Sequence, residues 1–304
     1  SGIRVASARG CGIRNMDRSG FPEALKLAEE SDVIIYVPGG CSTRFGNVQT
    51  DPVTGAALTP LVSDSDTTEK ESGEGTDRAT LNLSGVQMEL FRLLASTGKP
   101  VVTIPIMGRP LLLEEVLEKS SALLCAWYPG MLGGEAIAEA LFGLVSPGGK
   151  LPVSLPRNVG QLPVHCNAVN LARPNYIDSP GTPLLPFGFG LSYTTFAYRD
   201  LKISGRKVSL LCRNTGSKES DEVVQFYLQA RSGFVIRPER ELFAFRRIHL
   251  APGEEKRIEV ELTDEALGVY DRNGEFHLDA GPFRIFAGGD PGALLQLDFE
   301  FEKN

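Results

Sequence analysis

Three histidines, one tryptophan and five cysteines in 304 residues leave little material for several kinds of chemistry. Cys11, Cys41, Cys125, Cys166 and Cys212 are odd in number and widely spaced. No two form a CxxC pair, so a zinc ribbon or a dithiol redox centre reads poorly. Cys125 sits in the apolar run 122–127 and reads as a small buried hydrophobe. This cysteine usage favours a reducing compartment, and so the cytoplasm over a secreted or periplasmic location. His165, His249 and His277 are dispersed, and no Ser-His-Asp arrangement can be argued from them. His249 and His277 alternate within strand-like runs and read as structural. Neither a metal nor a cofactor is expected.

Long apolar runs are missing as well, so no stretch has the length needed to cross a bilayer. The first residues, Ser1-Gly2-Ile3-Arg4, lack the apolar core of a signal peptide. A net charge of −7 with no basic stripe argues against a nucleic-acid partner. Self-association is left open.

What is present falls into two patterns. Residues 1–156 alternate short β-branched or apolar runs (32–37, 100–106, 122–127) with helical periodicity over 20–30, 84–95, 111–118 and 134–144. Residues 150–155 are expected to close the layer. The alternation predicts an α/β three-layer sandwich around a mainly parallel sheet, with ligands beyond the carboxyl ends of its strands. Residues 157–193 are rich in Pro and Asn, show no periodicity and read as a connector ending in the aromatic-glycine segment 186–193. Residues 194–304 change to period two over 207–213, 222–229, 240–250, 256–262, 283–287 and 294–301. Turn signals such as Pro252-Gly253 and Asn273-Gly274 separate these runs. That spacing predicts an all-β sandwich of the fibronectin type III or immunoglobulin kind. The absence of a Cys…Trp…Cys arrangement disfavours the latter.

Chemistry concentrates in Glu69-Lys70-Glu71-Ser72-Gly73-Glu74-Gly75-Thr76-Asp77-Arg78. Glu74, between two glycines, is free to be presented into a cleft. Asp77 and Arg78 are suited to a charged network that fixes the loop. A carboxyl held among other carboxylates is biased towards its protonated form and can serve as a general acid. A solvated acidic loop without function reads equally well from charge alone. Asp64, Asp66 and Glu69 do not have the spacing of a calcium loop. The glycines of 130–134 form neither a dinucleotide fingerprint nor a phosphate loop, and read as a strand-to-helix turn. A nucleotide-binding reading would need a phosphate-cradling loop after the first strand. Pro38-Gly39-Gly40-Cys41 is a poor one.

The stretch Glu71–Arg78, followed by Leu81-Asn82-Leu83-Ser84-Gly85-Val86-Gln87, resembles the acid/base segment of glycoside hydrolase family 3, the β-glucosidase and β-xylosidase family. Further stretches at 126–134, 148–156 and 186–193 resemble its glycine turn, closing strand and approach to the last domain. Those at 214–216, 221–227, 237–242 and 252–254 resemble its fibronectin type III-like module. Met131-Leu132 and Leu185 depart from the usual residues at their positions. The resemblance implies a retaining, exo-acting β-glycosidase acting on β-linked glucosides or xylosides. Glu74 would be its general acid/base, with Glu71 as runner-up and Asp77 and Arg78 in support. It also implies a (β/α)8 barrel carrying the nucleophile, for which this chain has no room. The barrel would lie on a partner chain or segment, and the first strand-helix unit of the α/β domain is expected to be missing too. On this reading the chain alone is inactive. The alternative is a non-catalytic carbohydrate-binding or scaffolding module.

Overall fold

The computed structural model describes residues 2–42, 49–58, 69–73, 77–169, 176–233 and 235–302. The chain divides into two compact units, Ser1–Gly134 with Pro156–Leu162, and Glu135–Leu155 with Pro163–Asn304.

The first unit is α/β. Helix α1 (Phe21–Glu29) has Pro22 in its first turn, where a fixed φ suits the helix, and buries Phe21 and Ala28. It leads into β1 (Ile34–Tyr36). Strands β2 (Gln49–Thr50) and β3 (Ala57–Leu58) form a small antiparallel pair. Helix α2 (Gln87–Ser96) buries Gln87, Leu90, Phe91 and Leu94, the i, i+3, i+4, i+7 stripe of an amphipathic helix. Strand β4 (Val101–Thr103), helix α3 (Glu114–Lys119), strand β5 (Ala122–Leu123) and helix α4 (Gly133–Leu141) follow, α4 running across into the second unit.

The sheet order is β1-β4-β5 and both pairings are parallel, with Ile34 opposite Val101 and Val102 opposite Ala122. Tyr36 stacks on Phe91 at 5.7 Å, joining sheet to α2. The strands are shorter than the apolar runs because Pro38 and Pro105 accept ladder bonds but cannot donate them. Pairing continues past the formal ends through Ile106 N to Pro38 O (2.9 Å) and Ala126 N to Pro105 O (3.2 Å).

Residues 150–155 do not close this sheet. Leu151 N bonds Phe189 O and Leu155 N bonds Leu185 O, each at 2.8 Å, inside the second unit. Leu155 is fully buried there, and Lys150 meets the carboxylate of Glu222 at 3.1 Å. The end of the expected connector is therefore held by backbone bonds.

The second unit contains the β-sandwich. Its strands are β6 (Phe196–Ser204), β7 (Lys207–Asn214), β8 (Ser220–Ala230), β9 (Glu241–Leu250) and β10 (Glu255–Glu261). Helix α5 (Asp264–Leu267), β11 (Gly268–Tyr270), β12 (Phe276–Leu278), β13 (Gly281–Gly288) and β14 (Leu295–Phe301) complete it. One antiparallel sheet has the order β10-β7-β6 and the other β14-β13-β8-β9, with β11-β12 as a separate hairpin. Inward residues of both sheets, including Val208, Leu210, Cys212, Phe226, Ile258, Phe283 and Ile285, form one apolar core. Strand β6 escapes period-two reading because its phase breaks. Asp200 has φ 57° and the register slips between Arg199 and Lys202, so Phe196 and Tyr198 alternate on one count and Leu201 and Ile203 on the next.

Candidate active site

The carboxyl ends of β1, β4 and β5 carry the segments that contain or hold the acidic loop. Gly39 and Gly40 leave β1 along the chain of residues 104–106. Gly40 N bonds Ile106 O at 2.9 Å, and a Cβ on Gly39 would collide with Ile106 O. Gln87, at the start of α2, holds this turn as a neighbouring strand would. It accepts from Gly39 N (2.8 Å) and donates to Gly39 O (2.9 Å) and Ile13 O (2.9 Å). Buried at 3% exposure, Gln87 supplies bonds that no strand provides there.

Glu71 occupies the next layer. Its backbone N–H bonds Cys41 O at 3.1 Å, and Ser72 bridges to Ser42. The Glu71 carboxylate accepts from the Arg78 guanidinium at 3.0 Å and from the Ser84 hydroxyl at 2.6 Å, both through Oε2. Its Oε1 lies so close to Gly40 that a Cβ there would strike it unless the carboxylate moved. Both charged side chains are buried, 7% exposed for Glu71 and 8% for Arg78. Arg78 also donates to Asn82 O. Residues 71 and 78 are therefore joined by a buried ion pair.

Asp77 stands apart from that pair. Its carboxylate accepts from Arg78 N at 2.8 Å and from Arg109 at 2.5 Å, and it is largely exposed. The Arg78 amide first, and Arg109 second, hold it below the usual aspartate range. The network expected of Asp77 and Arg78 is thus divided, Arg78 turning to Glu71 and Asp77 to Arg109. Glu74 lies outside the described residues, as do Asp64 and Asp66.

Two further groups have partners that sequence spacing did not indicate. Glu69 accepts from Ile13 N and Asn15 Nδ2, each at 2.5 Å, from Arg14 N at 3.1 Å and from Arg9 at 3.2 Å. Those bonds tie residues 9–15 to the acidic segment. The Tyr128 hydroxyl accepts from Ser42 N at 3.1 Å, joining the segment after β5 to the one after β1. Their partners lie more than 50 residues away, beyond the reach of local spacing. The glycine turn forms as expected, with Gly130 at φ 77° and Gly133 N bonding Gly130 O. Among the described residues one group of His and carboxylates, Asp271, Glu275 and His277 in the second unit, is close enough together that it could hold a metal ion.

A buried carboxylate–guanidinium pair at the carboxyl edge of a parallel sheet does not by itself name a family. The family model "Glycosyl hydrolase family 3 C-terminal domain" matches residues 4–193, and a fibronectin type III-like model matches residues 222–290. The chain belongs to glycoside hydrolase family 3. Among similar family members, a β-xylosidase of Formosa agariphila is 37% identical over 96% of this chain and 38% of its own length. A periplasmic β-glucosidase of Salmonella typhimurium is 33% identical over 98% of this chain and 41% of its own. Of solved structures, a β-glucosidase of Listeria innocua in complex with glucose superposes with a TM-score of 0.80 at 28% identity, covering 95% of this chain and 39% of that one. This chain thus spans well under half the length of these relatives, and corresponds to the C-terminal portion of family 3 glycoside hydrolases.

Proposed function

We propose that this chain supplies the general acid/base of a retaining, exo-acting β-glycosidase of family 3, with a β-glucoside as substrate and a β-xyloside as the next choice. Glu74 is the acid/base. It protonates the leaving glycosidic oxygen, then takes a proton from the water that hydrolyses the glycosyl-enzyme. The nucleophile comes from a (β/α)8 barrel outside these residues, and retention requires the two carboxyls about 5–5.5 Å apart. Without that barrel the chain is inactive. On this reading residues 1–156 form the α/β domain, 157–193 the connector and 194–304 the fibronectin type III-like domain.

The observation that favours Glu74 over Glu71 is the buried Glu71–Arg78 pair. Glu71 has Oε2 engaged by Arg78 and Ser84 and Oε1 against Gly40, so it has no free face for a substrate. It serves as a positioning residue, closing the base of the loop that carries the acid. Asp77 with Arg109 steadies the far side of that loop.

The test uses the barrel-containing enzyme. Glu74→Gln lowers turnover of an alkyl β-glucoside by about 10²–10⁴-fold, the usual contribution of a positioned acid. A dinitrophenyl glucoside, whose leaving group needs no proton, loses far less in its first step. Equal losses on both substrates would remove Glu74 from the acid role. Unchanged turnover would favour the scaffolding alternative.

A further inference from the structure

The hairpin β11–β12 brings three metal-ligating side chains to one face. Tyr270 pairs with Phe276 and Val269 with His277, and Asp271 N bonds Glu275 O at 2.9 Å where the strands meet the turn. Cross-strand partners and residues two apart share a face, so Asp271, Glu275 and His277 lie together. Tyr270 and Phe276 take the other face, their rings 5.3 Å apart. One ligand atom from each of the three polar side chains lies within 4.8 Å of the others.

We propose that Asp271, Glu275 and His277 bind a borderline divalent transition ion, with Zn(II) as the representative. Asp271 is held ready for this. Its Oδ1 accepts from Asn273 N (2.8 Å) and Glu275 N (2.9 Å), which fixes the carboxylate and directs Oδ2 to His277 Nε2 at 3.2 Å. Ligand bonds of about 2.0–2.1 Å place neighbouring corners of a zinc tetrahedron about 3.3 Å apart, so two corners already stand at the required spacing. Glu275 is exposed and on a rotatable stem, and it closes the third corner. Water takes the fourth. The Asp271 side chain is 19% exposed and that of His277 38%, which shelters the site while leaving an entry. An imidazole nitrogen among the donors disfavours calcium and magnesium, which select oxygen.

His249 provides the contrast. Its two ring nitrogens face different carboxylates, Asp221 at 2.9 Å and Glu219 at 3.7 Å, so no single ring nitrogen gathers both. Arg247 also holds Asp221 at 2.5 Å. His249 is therefore a control.

The test is calorimetric titration of ZnCl2 into the untagged, EDTA-stripped 304-residue chain at pH 7.5, with melting temperature as a second readout. One equivalent is expected to bind with a micromolar dissociation constant and to raise the melting temperature. His277→Ala removes the binding. Glu275→Gln preserves the His–Asp contact yet weakens binding at least tenfold, and His249→Ala leaves it unchanged. No saturable binding up to millimolar zinc, or binding unaltered by His277→Ala or Glu275→Gln, would overturn the proposal.

Discussion

The two units hold themselves together by different means. In the first, the parallel strands are two or three residues long, and side chains such as Gln87, Glu69 and Glu71 carry bonds that a longer ladder would otherwise supply. In the second, β8 and β9 run for 11 and 10 residues over a continuous apolar core. Among the described residues each unit also has a buried ion pair, Glu71–Arg78 in the first and Glu222–Lys150 in the second. The first pair closes the base of a loop. The second ties residues 150–155 to the sandwich, and there burial outweighs Lys150 and raises the Glu222 pKa. Side-chain bonding on loops suits a reactive group, because the loop can be shaped without altering a sheet. An apolar core suits a support.

The sharpest way to break this contrast is a cavity in the sandwich. Phe226→Ala removes a fully buried ring and is expected to cost about 3–5 kcal/mol in urea denaturation. Hydrogen exchange should accelerate along β7, β8 and β13. A loss below about 1 kcal/mol would mean that the ladders, and not the core, dominate there.

Next in size is Glu71→Leu, which leaves Arg78 buried without its partner and costs about 3 kcal/mol. Exchange should rise mainly at residues 40–42 and 71–84. The double variant Glu71→Leu/Arg78→Met is expected to recover most of that stability. In the barrel-containing enzyme it should not recover turnover, since the loop base stays open. Recovery of both would deny Glu71 its positioning role.

A smaller effect is expected at the start of α5. There Thr263 Oγ1 accepts from Ala266 N, and Thr263→Ala should cost about 1 kcal/mol. The smallest sharpens the surface of the first unit. Arg92 first, and Lys119 second, hold the Glu115 carboxyl down to about 2. Its stabilisation is therefore present above the unfolded glutamate pKa of about 4.3 and is lost as pH falls towards 2. Solvent screening keeps it below about 1 kcal/mol. Melting temperatures of the wild type and Glu115→Gln should converge across that window. Parallel curves would show that the pair contributes nothing.

Much of the fold was legible because it is local. Helix α2 announces itself by Leu90, Phe91 and Leu94, and β7, β8 and β13 by their alternation. Strand β6 was hidden by one left-handed residue, Asp200, which shifts the phase of its alternation. The acidic segment stood out by composition, yet composition left Glu71 and Glu74 as rivals. The proposed choice of Glu74 over Glu71 rests on Ser84 and Gly40, whose approach to Glu71 no local spacing reveals.

The sequence by itself determined the order of the two architectures and the presence of a family 3 acidic segment, because periodicity and motif are properties of neighbouring residues. Tertiary structure alone decided that residues 150–155 join the sandwich and that Glu69 pins residues 9–15. It also turned Arg78 towards Glu71 and set His277 beside Asp271. Each depends on which polar group finds which partner once water is excluded, and burial makes an unpaired group costly enough to choose.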